Sequence, residues 1–202
     1  LVKSAYPNTI SNPFSYGLRI AYNPEGAEIE NGWVYGAEKS EIRFAPYTVG
    51  GDYTIDRNIS SVGSNAFEGC SALTSLTFES PLKSIGNRAF YNLKGITSIS
   101  FGNELESVGN SAFEGCSGLT SISIPNTVKT IGEKAFYNLK SIGSLSLDNI
   151  ETIGASAFYN NALKSVILGP NAKSIGTDAF QNCSGLVKSA YPNTISNPFS
   201  YG

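Results

Sequence analysis

The sequence predicts a solenoid that is mainly β, made of short parallel strands with short helical or 3-10 turns, and closed near its N-terminal side by a β-hairpin cap. Three observations predict it. The dipeptide Ala-Phe recurs with its Phe at 67, 90, 113, 136, 158 and 180, at intervals of 23, 23, 23, 22 and 22 residues. Four residues before each pair stands a β-branched residue followed by Gly: Val62-Gly63, Ile85-Gly86, Val108-Gly109, Ile131-Gly132, Ile153-Gly154 and Ile175-Gly176. After each Phe, apolar residues fall at the first, fourth and sixth places of a short segment, as in Leu73, Leu76, Phe78 or Leu119, Ile122, Ile124. Alternate side chains of a strand point to one side, so this spacing marks a strand with one buried face.

A period of 22 or 23 residues with L-x-x-L-x-L is leucine-rich-repeat spacing, and the fold class is a leucine-rich-repeat solenoid. One coil is too short to bury its own apolar face. Stacked coils share a continuous core, with neighbouring strands about 4.8 Å apart, so six coils span about 29 Å. The Gly after Val or Ile has two readings: a turn with positive φ, or a close approach of neighbouring backbones. The Ala-Phe stretch is expected to make one helical turn whose Phe plugs the core. A surface aromatic stripe is the lesser alternative, because large apolar residues in register are usually core. A longer period lies on top. Ser61–Glu106 resembles Ser107–Glu151 coil by coil, with "AFEGCS" alternating with "AFYNLK", the pattern left by doubling a two-coil block.

The segments "SIPNTVKTIGEKAFYNLKSI" and "SVGNSAFEGCSGLTSISIP" resemble the BspA-like leucine-rich repeats, also called the Treponema pallidum type, over about residues 61 to 195. The resemblance implies a protein on the surface of, or secreted by, a host-associated bacterium, and a role in adhesion to host proteins or other cells. It carries no catalytic motif, so no residue inherits an enzymatic role and no cofactor is implied.

Residues 1–17 and 186–202 are identical at all 17 positions, "LVKSAYPNTISNPFSYG". Leu186, Ser189 and Tyr191 fall in the strand register after Phe180, and "YPNTI" at 191–195 parallels "IPNTV" at 124–128. The phrase therefore begins a further coil and then departs at Pro198, which opposes the usual backbone. The simplest account is a parent protein that repeats a unit of 185 residues. Residues 1–17 are then a partial terminal coil of a preceding unit, 18–56 a β-hairpin capping or joining module, 57–185 the six-coil array, and 186–202 a partial coil starting the next unit. Within 18–56, Trp33 and Tyr35 pair with Ile42 and Phe44 around Ala37–Ser40. The first phrase is expected to pack on this module or, end to end, on a neighbouring copy. The chain has no Met and opens on Leu1, which marks a fragment or a processed form.

Composition narrows the partners. A net charge of −2 without a basic run disfavours nucleic acid and anionic membrane surfaces. No stretch of 18 apolar residues exists, so nothing in this fragment inserts across a bilayer as a helix. Absence of His removes the usual Ser-His and Cys-His nucleophile systems. Carboxylate acid–base chemistry stays formally open at Asp52 with Asp56 or Glu28 with Glu30, against the simpler reading of solvated loop charge. Cys70, Cys116 and Cys183 each follow a repeat Phe by three residues, where other coils have Leu93, Leu139 and Asn161. That alternation reads as a buried apolar slot, and neither a disulfide nor a metal site is expected.

The candidate binding residues are aromatic. Tyr91, Tyr137 and Tyr159 form a broken column beside the core Phe, alternating with Glu68, Glu114 and Gln181. They either grip a partner or sugar or pack along the outside of the coil. Trp33 and Tyr35 belong to the densest aromatic cluster, with Phe14, Tyr16, Tyr22, Phe44, Tyr47 and Tyr53, which reads first as the core of the cap and second as a binding hot spot. The outward strand columns Ser75, Ser98, Ser121, Ser144, Ser165 and Thr77, Ser100, Ser123, Ser146 are small hydroxyls without interface anchors, and read as residues that suit a tightly spaced sheet. The expected function is non-enzymatic attachment to a host or bacterial surface protein or glycan. The alternatives are a passive spacer that carries another domain and, behind it, a carbohydrate-active module.

Overall fold

The computed structural model describes residues 27–56, 58–80, 82–139 and 142–186. The phrase at 1–17, all of its second copy beyond Leu186, and Phe14, Tyr16 and Tyr22 of the aromatic cluster lie outside the described residues.

The chain winds as a solenoid whose coils are bonded to one another on three sides. On the first side, nine strands form one sheet in the order β1-β2-β3-β5-β7-β9-β11-β13-β15. Its repeating members are the two-residue strands β5 (Ser61–Val62), β7 (Ser84–Ile85), β9 (Ser107–Val108), β11 (Thr130–Ile131), β13 (Thr152–Ile153) and β15 (Ser174–Ile175), all parallel. The second side carries the L-x-x-L-x-L strands: β4 (Gly51–Ile55), β6 (Leu73–Phe78), β8 (Ser98–Ser100) and β10 (Ser121–Ile122) in one parallel sheet, and β12 (Ser144–Leu147) with β14 (Ser165–Leu168) in another. The pairing is coil to coil, with Ser75 opposite Ser98 and Leu76 opposite Ile99. The Val or Ile before each Gly is thus a strand residue, a second strand per coil that the apolar spacing after Phe does not reveal.

The third side is the Ala-Phe segment, and it is not helical. Among the described residues no α-helix forms, and the 3-10 turn Ala37–Lys39 belongs to the cap. Two residues per coil adopt positive φ and interrupt any helix: Asn65, Arg88, Ser111, Lys134, Ser156 and Asp178 in one column, and Gly69, Asn92, Gly115, Asn138, Asn160 and Asn182 in the other. The second column is always Gly or Asn, the residues that enter the left-handed region most readily. These turns aim backbone groups along the solenoid axis, so the Phe67 N–H donates to the Ala89 carbonyl, that of Phe90 to Ala112 and that of Phe113 to Ala135, each at 2.8–2.9 Å. A left-handed non-Gly residue costs about 1–2 kcal/mol. The inter-coil hydrogen bonds that this conformation permits offset the cost, because an unpaired buried backbone group costs about as much.

The repeated Gly column has the second of its two expected roles. None of Gly63, Gly86, Gly109, Gly132, Gly154 and Gly176 has positive φ. A Cβ on Gly86 would lie 2.7 Å from the Gly63 carbonyl carbon, and one on Gly109 would lie 2.6 Å from that of Gly86. These glycines let successive backbones touch.

The core runs along the axis. Phe67, Phe90, Phe113, Phe136, Phe158 and Phe180 are buried and stacked, with ring centroids 4.9–5.4 Å apart and interplanar angles between 1° and 25°. Each buried Phe contributes about 1.5–3 kcal/mol, and each ring pair adds about 0.5–1.5 kcal/mol.

The array starts earlier than its motif. β3 (Glu41–Phe44) joins the first sheet in parallel, with Ile42 opposite Val62. The Ala45 N–H donates to the Ala66 carbonyl, as Phe67 does to Ala89 one coil on. β4 then pairs with β6. Residues 41–55 therefore trace a coil that lacks the I-G-x-x-A-F signature, and Ala45 stands where Phe belongs. Trp33 fills the gap: its indole meets the Phe67 ring edge-on at 5.8 Å and ends the aromatic stack. Trp33 is delivered by β2 (Trp33–Tyr35), which pairs antiparallel with β3 as Val34 to Phe44 and Tyr35 to Ile42 across a bulge. A further strand, β1 (Glu28–Glu30), pairs with β2 around Asn31-Gly32, both at positive φ, the two-residue hairpin turn of the Asn-Gly type.

The second side is interrupted once. The Thr97 and Thr120 amides donate to the Thr74 and Thr97 carbonyls, and their hydroxyls reinforce the same acceptors at 3.0 and 3.2 Å. The next coil has Gly143 in this position, and the sheet splits between β10 and β12. A Cβ there would meet nothing within 4 Å.

Two contrasts test these readings. Gly132→Ala places a Cβ 2.7 Å from the Gly109 carbonyl carbon and is expected to lower unfolding free energy by about 1–3 kcal/mol. Gly115→Asn, in the positive-φ column, is expected to change it by less than about 1 kcal/mol; urea midpoints of the two variants decide. Gly143→Thr is expected to stabilise by about 0.5–1 kcal/mol and to slow hydrogen exchange of the β12 amides, and unchanged exchange there would deny that Gly143 opens the sheet.

Candidate functional site

Three surfaces of the solenoid carry chemistry: the outward side of the L-x-x-L-x-L strands, the flank beside the Phe column, and the aromatic end. The strand side presents hydroxyls. Thr77, Ser98, Ser100, Ser123, Ser144, Ser146 and Ser165 are exposed. Many of these groups serve the fold itself: the Ser165 hydroxyl donates to that of Ser144 at 3.0 Å, and the adjacent Thr column donates to backbone. The side is not uniform at its ends. Asp52 on β4 accepts from the Ser75 hydroxyl at 2.7 Å and the Thr74 hydroxyl at 2.9 Å, which holds its carboxyl below the ordinary value. On β14, Ile167 is 59% exposed in the column otherwise filled by Thr77, Ser100, Ser123 and Ser146.

The flank holds the tyrosines. Tyr91, Tyr137 and Tyr159 are half-buried, each next to its core Phe. The Arg88 guanidinium lies 4.0 Å above the centre of the Tyr91 ring, a cation–π contact. Tyr137 and Tyr159 come from consecutive coils and stack on each other, centroids 5.0 Å apart and planes within 6°. Their mutual faces are therefore occupied, while both residues stay half-buried. Amides line the pair: the Asn182 amide donates to the Tyr159 hydroxyl at 2.8 Å, and the Asn160 amide donates to the Asn138 side-chain oxygen at 2.7 Å. The Tyr137 and Tyr159 rings thus pack on each other from coil to coil. The amide row is what reading the tyrosines alone misses. Its signal is the column of Gly or Asn two residues after each Phe, which is Asn in the last three coils.

At the aromatic end, Trp33 and Tyr35 are only 6% and 5% exposed. Trp33 stacks with Tyr35 at 6.2 Å and leans on Tyr53 at 5.4 Å. Their burial accords with the first reading of this cluster, the core of the cap. A shallow hollow lined by Trp33, Tyr35, Tyr53, Thr54, Ile55 and Asp56 opens beside them.

Of the four acidic residues that kept acid–base chemistry open, Glu28, Glu30 and Asp52 have structural partners. Lys39 Nζ lies 2.8 Å from Glu30 and 3.7 Å from Glu28, tying the hairpin to its 3-10 turn. Asp52 holds the two hydroxyls described above. Glu151 pairs with Lys173 on the next coil at 2.6 Å, and that contact keeps its carboxyl below the ordinary value. Among the described residues, no helix is long and apolar enough to cross a membrane.

The slot three residues after each Phe is buried at 70, 93, 116, 139 and 161 and half-buried at Cys183, and it has a polar function its Cys/Leu alternation hides. The Cys116 thiol donates to the Phe90 carbonyl at 2.9 Å, the Asn161 amide to the Phe136 carbonyl at 2.8 Å, and the Cys183 thiol to the Phe158 carbonyl at 3.1 Å. Each is a donor to the Phe of the preceding coil, which explains how a 3%-exposed Asn161 substitutes for Cys. Burial pushes the Cys70 and Cys116 thiols up to about 12 and raises that of Cys183 as well.

A family model described as the BspA type leucine rich repeat region matches residues 60–187 in six copies. No curated protein matches the chain. Among solved structures, the chain is similar to a leucine rich cell surface protein of Faecalibacterium prausnitzii A2-165, with 20% identity and a TM-score of 0.64, over 84% of this chain and 55% of that one. It thus spans about half the length of that relative. It is also similar to the T. pallidum leucine rich repeat protein, with 24% identity and a TM-score of 0.62, over 77% of this chain and 87% of that one. The pneumococcal vaccine antigen PcpA is similar at 23% identity and a TM-score of 0.63, over 85% of this chain and 42% of that one. At these identities the likenesses establish the fold.

The buried thiols yield a pH prediction. Their pKa rises from 9.0 in the open chain to about 12 in the fold, so the native state favours the protonated thiol. The stabilisation is fully present below pH 9 and is lost as pH climbs from 9 through 12. Unfolding free energy is expected to fall across that window, with a smaller fall in Cys116→Leu, whose side chain matches the slot of neighbouring coils. Equal slopes for the two proteins would deny the assignment.

Proposed function

Because the chain belongs to the BspA-type leucine-rich-repeat family, we propose that it is a non-enzymatic attachment module of a bacterial cell-surface or secreted protein, holding a protein or glycan against the solenoid flank that carries Tyr91, Tyr137 and Tyr159. The observation that carries this reading is the Tyr137–Tyr159 stack, half-exposed and bordered by Asn138, Asn160 and Asn182. Tyrosine is among the residues that dominate interface energy, and a stacked ring loses little freedom when a partner binds. The adjoining amides offer both donors and acceptors without net charge, which suits a polar, uncharged contact. Backbone demands do not dictate the pair: the alternation of the earlier coils has Glu with Gly at 68–69 and 114–115, whereas coil five has Tyr159 with Asn160, and either pair suits the turn. The relatives described as a cell surface protein and as a pneumococcal vaccine antigen support placement outside the cell.

A passive spacer is the second reading. It is favoured by the strand side, where the Ser165, Thr97 and Thr120 hydroxyls bond within the array. The carbohydrate-active alternative has less support, since Glu28, Glu30 and Asp52 are engaged by Lys39, Thr74 and Ser75.

Surface plasmon resonance over immobilised host matrix proteins and mucin glycans separates the two. The attachment reading expects saturable binding to at least one of them, weakened at least about tenfold in Tyr137→Ala/Tyr159→Ala and unchanged in Ser100→Ala/Ser123→Ala. Saturable binding that ignores the tyrosine pair would move the site elsewhere, and binding to none of the surfaces would leave the spacer.

A further inference from the structure

Consecutive coils place matching residues side by side, and on the flank beside the Phe column this makes a row of amides. Asn138, Asn160 and Asn182 stand two residues after Phe in coils four, five and six. All three have positive φ, and Gly69 and Gly115 make the same turn in earlier coils, so the backbone does not require the amides. Asn138 and Asn160 are half-buried and Asn182 is exposed. The Asn160 amide donates to the Asn138 side-chain oxygen, and the Asn182 amide donates to the Tyr159 hydroxyl. Each of these bonds uses one N–H. A side-chain amide has two N–H donors and an oxygen that accepts twice, so donors and acceptors are left over along the row.

The row has a chemistry and a repeat. Beside it run Tyr137, Tyr159 and Gln181, so neither column carries a charge over these three coils. In the first three coils the same columns hold Glu68 with Gly69 and Glu114 with Gly115, and the Arg88 guanidinium covers the Tyr91 ring between them. Among the described residues the exposed large aliphatic side chain is Ile167, on the strand side, so the flank offers a protein no such anchor. The repeat is set by the coils. The Tyr137 and Tyr159 rings lie 5.0 Å apart, and those of Phe136, Phe158 and Phe180 follow at 5.2 and 5.4 Å. An extended peptide advances about 3.3 Å per residue, so side chains on one of its faces recur about every 6.6 Å and fall out of step with the row within two coils. An extended chain of equatorially linked pyranoses advances by one ring and one bridging oxygen per sugar, close to the coil spacing. Each of its sugars carries hydroxyls, which donate and accept as the amides do.

We infer that the row Asn138, Asn160 and Asn182 is a binding track for a neutral, β-linked glycan chain, which lies along the solenoid axis with one sugar per coil. The inference rests on the attachment reading above and deepens it by naming the class of ligand. Three amides in consecutive coils define three consecutive sugar positions, and the stacked Tyr137 and Tyr159 rings hold the side of the track rigid. The track ends toward coil three, where Glu114 and Gly115 replace the Tyr-Asn pair. A charged glycan finds no counter-charge in the row, whereas a neutral one meets a donor and an acceptor at each step.

Isothermal titration calorimetry of the full chain with cellotetraose and N-acetylchitotetraose, two β-linked chains, and with maltotetraose, an α-linked chain that curls away from a straight track, tests it. Saturable binding of at least one β-linked chain is expected, tighter than that of its own disaccharide and of maltotetraose. Asn160→Gly is expected to weaken it about fivefold or more, the effect of losing one hydrogen bond, and the triple change Asn138→Gly/Asn160→Gly/Asn182→Gly to abolish it. Glycine already serves this column at 69 and 115, and far-UV circular dichroism checks that both variants stay folded. Equal binding of maltotetraose, or binding indifferent to the triple change, would overturn the inference. If neither β-linked chain binds while a matrix protein still binds through Tyr137 and Tyr159, the track is overturned and the attachment reading stands, with a protein as the occupant. If the matrix proteins and mucin glycans fail as well, both fall together.

Discussion

The interaction on which the rest of this structure depends is the contact of each coil's backbone with the next, about 5 Å away, on three sides at once. Backbone amides and carbonyls that leave water must find partners, and here the partner is nearly always the equivalent group one coil along. A coil can satisfy its neighbours only by copying their conformation. This single requirement explains three columns of residues. Glycines stand where backbones touch, Gly or Asn stands where the chain enters the left-handed region, and Phe stands where the axis must be filled. Each follows from spacing, and together they account for the strictness of the repeat.

The same requirement makes the ends of the array special. A coil at the end copies one neighbour and lacks the other. The motif-less coil at 41–55 shows how far the pattern relaxes there: it keeps the ladder through Ile42 and Ala45 but has no Phe. The hairpin then supplies Trp33 from outside the repeat to complete the aromatic stack. The slot behind each Phe tells a similar story inside the array. Thiol, amide and leucine all fill it, and each polar occupant donates to a main-chain carbonyl of the preceding coil.

What the ladder leaves undetermined is the outside of the coil, and that is where function resides in such an architecture. Glu, Tyr and Gln all satisfy the fold one residue after Phe. When two consecutive coils both carry Tyr, the coil spacing alone brings the rings into a parallel stack, as at Tyr137 and Tyr159. A repeat protein can thus create a surface feature by changing a pair of residues without altering its backbone. On the strand side the same geometry aligns Ser and Thr into rows that bond chiefly with one another and with the main chain.

Much of this was legible in the residues themselves. The period, the buried Phe column, the strand register after it and the apolar nature of the cysteine slot all follow from spacing, because a solenoid repeats its local environment and a repeated environment selects repeated residues. The pairing of Tyr35 with Ile42 followed from alternation around a turn, whereas a bulge sets Val34 rather than Trp33 opposite Phe44. The tertiary structure alone decided the rest. It gave the column glycines close contact instead of positive φ, replaced the expected helical turn with paired left-handed residues, and extended the array back to Glu41, where no motif marks it. It also joined Tyr137 to Tyr159. Each of these depends on which atoms lie across the gap between coils, a relation between residues some twenty positions apart that local pattern does not encode.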